Sequence, residues 1–222
     1  MAEFWDSLPL PWQICLEEAW LAYCSGSIPI GAVVMDANGA VAARGRNRRA
    51  EPRSQDGYIS GTLLAHAELN ALNALDTNAV DAHGCILYTT TEPCPLCMGA
   101  VYMVGVRQVY YASRDPYAGS VNMLGSTPYL SRKPVRAFGP ERLDLELAIA
   151  TLFVEFAIPY FGDRALPVFE AMQQIIPASI RLGQTLYEAG DLRRLRAAES
   201  PAHVAWDFLA ATIQQLGYDL SA

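Results

Sequence analysis

Apolar residues recur at helical spacing in some stretches of this chain and run continuously in others, and the two patterns alternate. Ile14, Leu16, Ala19, Trp20 and Tyr23 mark a helix over 12–23, opened by Pro11 and followed by Gly26. Residues 28–35 and 40–46 read as strands joined by the turn chemistry of Asp36-Ala37-Asn38-Gly39, which predicts a β-hairpin. Leu69, Leu72 and Leu75 mark a second helix over about 65–75. The run Cys85-Ile86-Leu87-Tyr88 opens a third strand over 85–90, followed by a helix over 95–104 and a fourth strand over 108–112. Residues 113–140 are rich in Gly, Ser and Pro and read as a lid or substrate loop, with a short strand near 135–138. Helical periodicity then dominates over 143–157, 168–186, 191–198 and 203–216, with breaks at Pro159, Pro167, Gly190 and Pro201. One helix, two strands and two helix–strand alternations predict an α/β fold: a three-layer α/β/α core with a partly parallel sheet. The core is expected over 1–140. Residues 141–222 form a C-terminal helical extension: a cap, a dimer surface or an added lobe.

Two short segments carry chemistry: His66-Ala67-Glu68 and Pro93-Cys94-Pro95-Leu96-Cys97. Zinc takes imidazole nitrogen and thiolate sulfur, and a catalytic site keeps its fourth position open for water. His66, Cys94 and Cys97 supply three such ligands, and Glu68 is near enough to move protons on that water. Two cysteines three apart point the same way at the first turn of a helix, where Pro93 and Pro95 are well tolerated. A helix N-terminus also favours thiolate over thiol. A closed structural zinc site with Cys85 as fourth ligand is the competing reading, though Cys85 opens an apolar strand, where cysteine acts as a small hydrophobe. In partly parallel sheets ligands gather at strand C-terminal ends, where both segments fall.

The 222 residues are 52% hydrophobic and 18% charged, which fits a globular protein with a real core. No apolar run is expected to reach membrane-spanning length, and the acidic start lacks the basic opening of a signal peptide. Cys15, Cys24 and Cys85 are an odd set in apolar contexts, which points to free thiols and a cytoplasmic location. A net charge of −7 disfavours a large nucleic acid as partner. Arg44, Arg46, Arg48, Arg49 and Arg53 form a local basic stretch: a solvated loop, or an anion contact near a substrate entrance.

Residues 8–130 resemble the cytidine/deoxycytidylate deaminase superfamily, in the branch of guanine deaminases, tRNA adenosine deaminases and small-base cytosine deaminases. The resemblance rests on Pro29-Ile30-Gly31-Ala32-Val33, Gly45-Arg46-Asn47, His66-Ala67-Glu68-Leu69-Asn70 and Thr91-Glu92-Pro93-Cys94-Pro95-Leu96-Cys97-Met98-Gly99-Ala100. The cysteine stretch is similar to guanine deaminases, whereas Arg114-Asp115 looks more like the tRNA enzymes. The resemblance implies that His66, Cys94 and Cys97 hold zinc and that Glu68 shuttles the proton. It implies that Asn47 hydrogen-bonds the base and that backbone near Ala67 and Glu92-Pro93 borders the ring and leaving amine. Asp115 either reads a polar edge of the base or caps the following turn. The implied activity is hydrolytic deamination of a free nucleobase, nucleoside or related small aminated heterocycle, with tRNA adenosine deamination as the alternative. A non-catalytic zinc scaffold is the third reading. The resemblance also implies a homodimer, with the apolar stretch 145–161 buried against a partner or against the core. The segment between Asn47 and His66 is long for the tRNA enzymes, and the tail beyond Glu141 matches neither subfamily.

Overall fold

The computed structural model describes residues 4–216. Its sheet holds β1 (Gly31–Met35), β2 (Val41–Arg46), β3 (Ile86–Thr91), β4 (Gln108–Ser113) and β5 (Arg136–Phe138), in the order β2-β1-β3-β4-β5. β1 pairs antiparallel with β2 and β3, while β3, β4 and β5 run parallel. The connections explain the mixture. A tight turn closes the hairpin, with Asp36 Oδ1 accepting the backbone N–H groups of Asn38 and Ala40. Parallel neighbours need longer crossovers.

The helices are α1 (Leu10–Cys24), α2 (Ala67–Ala74), α3 (Pro95–Val104), α4 (Leu143–Phe161), α5 (Leu166–Ile175), α6 (Pro177–Ala189), α7 (Asp191–Ala197) and α8 (Ala202–Gln215). Successive strand residues face opposite sides of a sheet. On β1, Ala32 and Val34 therefore meet Ala71, Leu72, Val101 and Tyr102 of α2 and α3. Val33 meets the other layer, with Trp12 and Leu16 of α1, Leu145 and Leu152 of α4, and Trp206 of α8. The fold is the expected three-layer α/β/α arrangement. The helices beyond residue 141 share one hydrophobic cluster with α1 and the sheet. Trp206 Nε1 donates to the Leu16 carbonyl at 3.0 Å, and Trp20 Nε1 to that of Ser200 at 2.8 Å.

Three expectations change. The helix expected over 168–186 is two helices, because Pro177 opens α6 and holds Ile176 away from helical geometry, at φ −134° and ψ 58°. The expected break at Pro159 does not occur: α4 continues to Phe161 and ends at Gly162, where φ is +55°. A proline so near a helix end removes only one late hydrogen bond. Finally, 143–175 is long and apolar enough by length and composition to cross a membrane, with an 18-residue window of mean hydropathy 1.5, contrary to the expectation that no run would be. In the fold 61% of that window is buried. A helix covered on most sides by protein needs no polar face. Most of the apolar stretch 145–161 is accordingly buried against the chain's own core, including Leu145, Leu152, Val154 and Phe156.

Candidate functional site

His66 and Cys94 occupy equivalent places, each the last extended residue before a helix, at φ −79° and ψ 152° and at φ −71° and ψ 172°. Glu68 and Cys97 follow within the first turns of α2 and α3. Pro95 is tolerated because a first-turn N–H has no intrahelical partner. The start of α2 lies against β2 because residue 45 is glycine. A Cβ there would stand 2.3 Å from the Ala71 nitrogen and 2.6 Å from the Ala67 carbonyl oxygen.

The two helix starts bring three ligand atoms together. His66 Nδ1 lies 3.5 Å from Cys94 Sγ and 3.4 Å from Cys97 Sγ, and the sulfurs are 3.7 Å apart. A tetrahedral zinc with Zn–S of about 2.3 Å and Zn–N of about 2.05 Å requires S···S near ~3.8 Å and S···N near ~3.5 Å. The triangle matches those edges, so these residues fit zinc. Cys94 is held down to about 4, first by the hydrogen bond with Cys97 and then by His66, which favours its thiolate, while the same bond and burial push the Cys97 thiol up. Cys85 is not part of the group; its Sγ donates to the Asp81 carbonyl at 3.4 Å. Glu68 stands beside the ligands and outside their triangle. Its Oε2 is 3.4 Å from Cys97 Sγ, and its Oε1 accepts from Thr89 Oγ1 at 3.2 Å. Burial pushes its carboxyl above the ordinary range, which suits a group that takes and returns protons near neutrality.

A cavity of about 370 Å³ opens on this centre, and Asn47, His66, Glu68, Cys94 and Asp115 all line it. Asn47 is 2% exposed; its Oδ1 accepts the Arg49 N–H at 3.1 Å, and its NH₂ has no partner among the described residues. Asp115 Oδ1 accepts the N–H groups of Tyr117 and Ala118 at 3.0 and 2.9 Å, so it caps the turn that follows while facing the cavity. Ala67 and Pro93 are buried and do not line it. Tyr117 reaches the cavity, whereas Phe138 stacks on Tyr110 and Tyr129 packs against Tyr102.

The basic stretch divides. Arg44 pairs with Glu17 and Glu18, Arg46 with Glu51, and Arg48 with Glu51 and Asp56, while Arg49 lines the cavity. Arg114 forms a two-pronged ion pair with buried Glu146 of α4, at 2.7 and 2.8 Å. Sequence reasoning missed several organising residues. Asn70 ties the long loop to β2 through the Ile59 N–H and the carbonyls of Ile59 and Arg46. Glu92 accepts the backbone N–H groups of Asp115 and Val121. It also missed the far wall of the cavity, built by Ile149, Phe153, Arg164, Val168 and Met172 of the C-terminal helices. The only available signal was the apolar stripe of α4, which core packing explains equally well.

A model of the cytidine and deoxycytidylate deaminase zinc-binding region matches residues 11–113, a span that contains Asn47, His66, Glu68, Cys94 and Cys97. A tRNA-specific adenosine deaminase of Agrobacterium fabrum is 34% identical over 113 residues, which are 49% of this chain and 67% of that protein. A guanine deaminase of Bacillus subtilis is 37% identical over 103 residues, 46% of this chain and 60% of that one. A solved guanine deaminase structure from Nitrosomonas europaea is 23% identical with a TM-score of 0.49, covering 67% of this chain and 85% of that one. The chain spans from 15% to 76% of the length of the curated relatives it matches. It belongs to the cytidine and deoxycytidylate deaminase family and carries that family's zinc-binding region.

Proposed function

We propose that this protein hydrolytically deaminates a free nucleobase, nucleoside or related small aminated heterocycle, with a guanine-deaminase-like ring preferred. The observation that carries this reading is a buried carboxylate, Glu68, beside a triangle of zinc-ligand atoms at the end of a cavity of about 370 Å³. A cavity of this size suits a small molecule. Zinc held by His66, Cys94 and Cys97 would supply a water of lowered pKa. Glu68 would take a proton from that water and pass it to a ring nitrogen as the oxygen adds to the carbon bearing the amine. It would next take the proton of the added hydroxyl and deliver it to the amine, so that the C–N bond breaks, ammonia departs and a carbonyl remains. Thr89 holds Glu68 in place, and Asn47 donates its free NH₂ to an acceptor on the ring.

Deamination of a tRNA is the second reading, supported by the Agrobacterium relative. It calls for a basic face around the cavity. Arg44, Arg46, Arg48 and Arg114 are all engaged with carboxylates of the same chain, which weighs against it. A non-catalytic scaffold would have no use for Glu68. A cytoplasmic location and a homodimer belong to the same proposal.

Ammonia release by the zinc-loaded protein tests the reading. The panel is guanine, adenine, cytosine, their nucleosides, aminated triazines and pterins, and an anticodon stem-loop with adenosine at the wobble position. Turnover of a small heterocycle is expected. Glu68→Gln should lower kcat by about 10²–10⁴-fold while zinc content is retained. Turnover of the stem-loop alone would overturn the proposal.

A further inference from the structure

The deep end of the cavity is accounted for by Asn47, Glu68 and the zinc ligands, yet the space extends beyond them. Its volume of about 370 Å³ equals roughly a dozen waters at about 30 Å³ each. Part of its wall is built by residues outside the matched region 11–113: Ile149 and Phe153 of α4, Arg164 of the turn after it, and Val168 and Met172 of α5.

Two cations line this cavity with no ion-pair partner among the described residues. Arg49 has no acidic partner among the described residues, and Arg164 makes only a 3.4 Å bond from Nε to the Phe161 carbonyl. The acids of the cavity are differently placed. Glu68 is bonded to Thr89, Glu92 to the N–H groups of Asp115 and Val121, and Asp115 to those of Tyr117 and Ala118. In a protein of net charge −7 carboxylates are plentiful, and four nearby arginines are paired with them. Arg49 and Arg164 lack such a pairing among the described residues, and both line the same concave space. Arg49 is half-buried and Arg164 exposed, whereas Asn47 and Glu68 are almost fully buried, so the cations stand nearer the mouth. Guanidinium groups match carboxylate and phosphate oxygens, and a cleft strengthens their field.

We propose that the substrate is an aminated heterocycle bearing an anionic substituent, phosphate or carboxylate, gripped at the mouth by Arg49 and Arg164. The apolar wall of Ile149, Phe153, Val168 and Met172 packs against the portion between ring and anion. This proposal rests on the deaminase reading and names its substrate class.

The test compares matched pairs: nucleosides with their 5′-monophosphates, and an aminopterin ring with its 6-carboxylate. Binding is measured by calorimetry on the zinc-loaded Glu68→Gln protein, so that it does not depend on turnover. Kinetics are measured on the otherwise unaltered enzyme. The anionic member of one pair should bind at least about tenfold more tightly than its neutral partner. Arg49→Gln and Arg164→Gln should each cut that ratio by about tenfold, and Arg164→Lys should retain more of it. Preference within the nucleotide pairs identifies the phosphate, and preference within the pterin pair the carboxylate. Equal binding of neutral and anionic members overturns the proposal even if deamination is observed. A preference that survives both glutamine variants overturns its assignment to these arginines. Anion-selective binding without turnover of any panel member supports the anion site and overturns the deaminase reading instead.

Discussion

Glu155 sits in the middle of α4, 1% exposed, accepting from the Tyr23 hydroxyl at 2.9 Å and facing Arg193 at 3.4 Å. Burial pushes its carboxyl above the usual 4.5, against the smaller pull of Tyr23 and Arg193. A carboxyl raised on folding stabilises the fold below its unfolded pKa, and that contribution is lost as pH rises through the folded value. Urea unfolding from pH 4.5 towards neutrality should therefore cost the wild type more stability than Glu155→Gln; parallel profiles would refute this. Glu68 is also raised by burial, but it faces a cavity and a zinc-ligand triangle. The two differ in company along the chain: Glu68 is two residues from His66, whereas Glu155 lies within Phe153-Val154-Glu155-Phe156-Ala157. It could not distinguish the two readings of Asp115, which depend on backbone N–H groups oriented by the turn it begins.

Gly45 shows how an element is positioned by what a residue lacks. α2 approaches β2 so closely that Gly45→Ala would force apart the start of the helix carrying His66 and Glu68. Overpacking of this kind costs about 1–3 kcal/mol. The variant should melt earlier and bind zinc more weakly in a chelator competition; unchanged zinc affinity would mean that the helix start accommodates the methyl. The hairpin and the alternation of helices with strands were readable, because turn residues and apolar spacing are local signals. The helix ends were read less well. Pro177 opens a helix and Pro159 rides inside one, and the difference lies in where the flanking turns pack.

The molecule as a whole completes the helical layer begun by α1 with helices beyond residue 141. Leu145, Leu152, Trp206 and Leu209 are each 1% exposed, in one cluster with Trp12, Leu16 and Val33. Burying such a side chain contributes about 1.5–3 kcal/mol, against a net stability of about 5–15 kcal/mol for a typical domain. A chain ending at residue 140 should therefore lack a cooperative urea transition and near-UV circular dichroism; a sharp transition would mean that the first 140 residues fold alone. The same helices complete the cavity wall, a role invisible in their periodicity, since a side chain facing a cavity and one facing the core repeat at the same spacing. What the sequence alone determined was the metal centre and the layer order, because ligands on a helix turn and apolar periods are set by neighbours a few residues away. Which arginines are free for a ligand was decided only in three dimensions. Arg44 and Arg114 are neutralised by Glu17, Glu18 and Glu146, partners the chain brings near only by folding.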